Sequence, residues 1–122
     1  MEFKKKVVAG GGVLGSQIAY QAAYCGFDVT IWLRSESSVG RTQPKLDNLR
    51  EVYAKTIELM STPEGQTPTN WCRGIAEYDT FNKDECLQKS ENAYKSIKLE
   101  LDMAKAVKDA DLIIESMAEN VE

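Results

Sequence analysis

Three glycines, Gly10, Gly12 and Gly15, stand in the spacing GxGxxG within "VVAGGGVLGSQIAY". A short β-prone run, Val7, Val8 and Ala9, precedes them and a helical pattern follows, which is the setting that gives this spacing a chemistry. Gly10 permits a tight turn, Gly12 lets the backbone come close to a phosphate, and Gly15 lets the helix pack on the strand. The N–H groups that open the helix have no partners within it and, with the positive end of its dipole, face an anion. The expected ligand is the pyrophosphate of a dinucleotide, lined by Gly10, Gly11, Gly12, Val13, Leu14 and Gly15.

About 20 residues past such a turn, a carboxylate at the end of the second strand normally accepts hydrogen bonds from the adenosine ribose of NAD and repels a 2′-phosphate. In "TIWLRSESS" that position holds Leu33, followed by Arg34 and Ser35. A guanidinium fork and a hydroxyl suit a phosphate, and Arg41 can reach the same pocket from the following segment. The cofactor expected is therefore NADP(H) in preference to NAD(H). Acid–base chemistry is missing by contrast. The chain has no histidine, so no histidine general acid or base lies in it. Cys25, Cys72 and Cys86 are odd in number and form no CxxC pair, which fits free thiols and neither a metal centre nor a redox couple. No catalytic residue and no metal ligand is expected among these residues.

The elements that must position the glycines and Arg34 follow from periodicity. Residues 7–9 read as a strand, and in 13–25 Leu14, Ile18, Ala22 and Cys25 fall on one helical face, expected against a sheet. Gly26 is a helix stop, and 28–33, "DVTIWL", is the second strand. Pro44 suits the opening of a helix that runs to about residue 60, while 61–70 has two prolines, a glycine and no apolar residue and reads as a loop. A helix over 83–94, a strand over 96–101, a short helix capped by Asp102 and a buried strand over 111–117 complete the pattern. Trp71 and Phe81 read as core anchors. Strands that alternate with helices specify an α/β fold, a Rossmann-type parallel sheet with flanking helices.

Length and charge narrow the class. At 122 residues one domain is expected, and a net charge of −4 gives no basic footprint for nucleic acid. No apolar run approaches the ~18 residues of a membrane span, and Met1 is followed by charge, so a cytoplasmic protein without a membrane partner is expected.

"VVAGGGVLGSQIAYQAAYCGFDVTIW", "LREVYAKTI" and above all "AVKDADLIIESMAENVE" resemble the N-terminal, dinucleotide-binding part of 3-hydroxyacyl-CoA dehydrogenases; residues 62–94 lie outside the similarity. The resemblance implies that Glu119 lies by the cofactor ribose and that Ser116 lines the same groove; Ala118 stands where family members often have proline. It also implies that residues 1–122 are a dinucleotide-binding domain, incomplete on its C-terminal side, with the catalytic His and the acyl-CoA domain absent. Acyl-CoA would then be a partner only of the longer enzyme, and the isolated chain would lack the dehydrogenase reaction. A strand over 111–117 would adjoin the missing half and leave an apolar edge that favours a homodimer. Two other readings stand beside this one. "IWLR" also resembles the NADP-type strand ends of ketopantoate reductase-like or glycerol-3-phosphate dehydrogenase-like reductases, and the fold alone also fits a non-catalytic nucleotide-binding module.

Overall fold

Val7 and Val8 have no exposed surface and Ala9 almost none, because they form the buried end of a central strand, β1 (Lys5–Ala9). The computed structural model describes residues 5–10, 12–68, 71–72, 74–108 and 110–115. After β1 come α1 (Val13–Tyr24), β2 (Asp28–Trp32), α2 (Glu36–Met60), a 3-10 turn (Tyr78–Thr80), α3 (Lys83–Ser96), β3 (Lys98–Glu100), α4 (Met103–Val107) and β4 (Leu112–Glu115). The strands lie in the order β3-β2-β1-β4, all pairs parallel, with Val8 opposite Ile31 on one side and Ile114 on the other. This is the parallel α/β sheet that the alternation specified.

Two lysines in β1 are accommodated without a break in the strand. The Lys6 ammonium sits over the Phe27 ring, 3.6 Å from its centre, and Lys5 bonds the carbonyl of Lys108, so both charges stay at the strand's open end. β4 forms a sheet edge, on which Leu112 and Ile113 are exposed.

The buried face of α1 differs from the face expected. Ala19, Tyr20, Ala23 and Tyr24 enter the core against Val8, Val29 and Ile31, whereas Leu14 and Cys25 are exposed. The tyrosines decide this, because each buries its ring and finds a partner for its hydroxyl. Tyr20 reaches the Ser90 side chain at 2.8 Å, and Tyr24 donates to the Ile75 carbonyl at 2.8 Å. Periodicity that counts tyrosine as polar misses such a face.

Helix α2 also begins earlier than expected, at Glu36. The Ser35 side chain caps it by accepting from the Ser38 amide, which places Pro44 in the helix interior. Proline offers no N–H to the carbonyl four residues back; that residue is Gly40, around which an added Cβ would meet nothing within 4 Å. Arg50 pairs with Glu91 through two hydrogen bonds and Tyr94 donates to Asp47, so α2 and α3 run antiparallel. Trp71 and Phe81 are partly buried against the core, edge-on to each other. Among the described residues no helix is long and apolar enough to cross a membrane.

Candidate functional site: the strand ends around the glycine turn

With all strands parallel, the C-terminal ends of β1 and β2 lie at one edge of the sheet. The chain moves from β1 outward through β2 to β3 and then returns to β4 on the far side of β1. That reversal leaves a crevice beside the end of β1, where ligands of open α/β sheets bind.

The turn at the end of β1 separates two kinds of glycine. Gly10 has φ 113°, a conformation that glycine alone adopts without strain, and its N–H bonds the Trp32 carbonyl at 2.9 Å, tying the turn to the end of β2. Gly12 has φ −68°, open to any residue, and a Cβ added there meets nothing within 4 Å. Neither backbone conformation nor crowding therefore requires glycine at position 12. Gly12 caps α1 without a side chain, its carbonyl accepting from the Ser16 amide at 2.9 Å, and the first turn of α1 carries no acidic residue. Val13 and Leu14 are about two-thirds exposed beside it, and Gly15 is buried. A bare, amide-rich helix start of this kind suits a phosphate. Gly11 lies outside the described residues.

At the end of β2 the structure divides the residues that the sequence grouped together. Leu33 is 2% exposed and belongs to the core, with its amide donating to the Glu100 carbonyl at 2.9 Å. Leu33 therefore stands at the carboxylate position without offering a polar group, and the side chain that first reaches solvent after β2 is Arg34, which makes no ion pair among the described residues. Ser35 caps α2, and its Oγ lies 2.9 Å from Ser37 Oγ and 3.2 Å from Ser38 Oγ. Arg41 donates to Ser38 Oγ at 3.1 Å. Ser37 and Ser38 were missed by the sequence reading, and the serine run before a helical pattern was the signal available for them. Ser116 and Glu119 lie outside the described residues.

The groups with shifted titration lie elsewhere. Burial raises the phenols of Tyr20 and Tyr24, and that of Tyr53 to about 12, while hydrogen bonds hold the carboxyls of Asp47 and Glu91 below their usual range. All of these belong to the packing of α1, α2 and α3.

The model of the 3-hydroxyacyl-CoA dehydrogenase NAD-binding domain matches residues 5–122. The chain belongs to this family. A comparison with curated protein sequences finds no match. Among solved structures, a diketoreductase described for dual catalysis of dicarbonyl compounds is 30% identical, with a TM-score of 0.70 over 98% of this chain and 34% of its own. FadB2 of M. tuberculosis shares the fold at 17% identity and TM-score 0.65, over 98% of this chain and 33% of its own. 3-Hydroxybutyryl-CoA dehydrogenase of Escherichia coli K12 does so at 20% and 0.64, over 98% and 20%. The chain thus spans about a third or less of these proteins. What it shares with the family is the part that binds the nicotinamide dinucleotide.

Proposed function

We propose that these residues form the cofactor-binding unit of a dehydrogenase that moves hydride between NADP(H) and a 3-hydroxyacyl-CoA or a related hydroxy acid. The family supports the reaction class, and the diketoreductase, named for dicarbonyl compounds, supports a substrate whose oxidised form is a carbonyl. In this reading a histidine base removes the hydroxyl proton as hydride leaves the same carbon for the nicotinamide. No histidine is present, so that base and the acyl-CoA site belong to residues outside these 122, and the chain by itself binds cofactor without turnover. Ser116 and Glu119 would line the ribose side of the groove. The three free thiols fit a reducing compartment, the cytoplasm.

One observation carries the cofactor preference. Where an NAD site presents a carboxylate, Leu33 turns into the core and Arg34 stands exposed and unpaired among the described residues. Hydrogen bonds to charged groups contribute roughly 1.5 to 3 kcal/mol, so Arg34→Ala should weaken NADP binding about tenfold or more and leave NAD binding unchanged. Calorimetric titration of both cofactors checks this. Tighter binding of NAD by the wild type, or an equal loss for both cofactors in the variant, refutes the preference.

A further inference from the structure

We infer that Arg41 is a second residue selecting for the 2′-phosphate, held in place for it by Ser38. The inference rests on the NADP reading above and extends it from the strand end into the helix. Because α2 begins at Glu36, Ser37, Ser38 and Arg41 are spaced by four and three residues and share one helical flank. The Arg41 guanidinium donates to Ser38 Oγ at 3.1 Å, Ser38 Oγ lies 3.2 Å from Ser35 Oγ, and Ser35 directly follows Arg34.

Arg41 is held by a neutral hydroxyl in a chain whose acids outnumber its bases, 19 to 15. Arg50 shows the alternative, since Glu91 takes it in a two-pronged ion pair. Among the described residues no carboxylate does this for Arg41, so most of its five donors stay open to an outside acceptor. A phosphate monoester carries about −1.5 to −2 charges at neutral pH, more than one guanidinium balances. Arg34 and Arg41 together match it, and the serine hydroxyls can rotate from one another to donate to its oxygens.

Adenosine 2′,5′-bisphosphate and 5′-AMP, which lacks the 2′-phosphate, are the probes for this site. Their affinities are measured for wild type, Arg41→Ala, Arg41→Lys and Ser38→Ala, each checked for an unchanged thermal melt. Arg41→Ala should lose about tenfold for the bisphosphate and nothing for 5′-AMP, with a shallower salt dependence. Arg41→Lys should recover part of the loss, and Ser38→Ala should show a smaller one. Wild-type affinity of Arg41→Ala for the bisphosphate, while Arg34→Ala is impaired, overturns the role of Arg41 and leaves the NADP reading intact. Equal losses for both probes overturn it as well, by assigning Arg41 to the adenosine or to the fold. A wild type that binds both probes equally removes the NADP reading and this inference together.

Discussion

Replacing Gly12 by valine separates the demands of the ligand from those of the fold. The residue has φ −68° and ψ −176°, an extended conformation that valine adopts readily, and the new Cβ would project into open space. Gly12 supplies no side-chain cap that could be lost, but glycine is favoured over alanine and valine at a helix N-cap, and the exchange costs about 1 kcal/mol there. A side chain compatible with the backbone returns a similar amount by restricting the unfolded chain, about 0.4 to 1 kcal/mol. The stability of Gly12→Val should therefore match wild type to within about 1 kcal/mol. Binding should respond differently. A phosphate oxygen bonds a backbone N–H at about 2.7 to 3.2 Å, closer than it can approach past a branched side chain. Losing one such charged hydrogen bond corresponds to about tenfold or more in affinity, and losing two to about a hundredfold or more. Urea denaturation measures the first quantity, and calorimetric titration with NADP and NAD measures the second. Dinucleotide affinity equal to wild type in a folded Gly12→Val would mean that the ligand does not approach this turn. A variant that unfolds would refute the claim that neither conformation nor crowding requires glycine here.

Other glycines give the opposite pattern. A Cβ at Gly65 would lie 1.9 Å from the Leu59 carbonyl oxygen, so Gly65→Ala should destabilise by at least about 1 to 3 kcal/mol, whereas Gly40→Ala in open helix should stabilise by about 0.5 to 1 kcal/mol; denaturant midpoints that rank the two the other way disprove this. Burial holds Tyr20, Tyr24 and Tyr53 in the neutral form, so their contribution to stability is complete below the ordinary phenol value near 10 and is lost as pH rises through their higher folded values, about 12 for Tyr53. Phenolate absorbance near 295 nm from these three should appear together with loss of far-UV dichroism above pH 10; ionisation of all three in a folded chain at pH 10 contradicts it. β4 is an edge strand with Ile113 about half exposed, and the chain should self-associate as its concentration rises, so light scattering that reports only monomer at high concentration counts against an open edge.

The sequence by itself determined the order of strands and helices, the parallel sheet and the position of the glycine turn. These depend on properties that act within a few residues: β-branched runs, helical spacing, and the freedom that Gly10 needs at φ 113°. It also showed that the carboxylate of an NAD site is replaced by "LR", because residue type alone carries that information. Tertiary structure decided which of those two residues meets solvent. Leu33 is drawn into the core because its apolar side chain joins the buried cluster, and Arg34 is left outside since a guanidinium costs far more to desolvate. The same applies to α1, where Tyr20 and Tyr24 face inward only because Ser90 and Ile75, distant in sequence, supply partners for their hydroxyls. Pro44 gave a local signal for a helix start that a stronger cap at Ser35 overrode, and with that change Ser38 and Arg41 came onto one flank of α2. Gly65, read as an ordinary loop residue, is fixed by how closely the chain folds back on the Leu59 carbonyl, a distance that spacing along the chain does not encode.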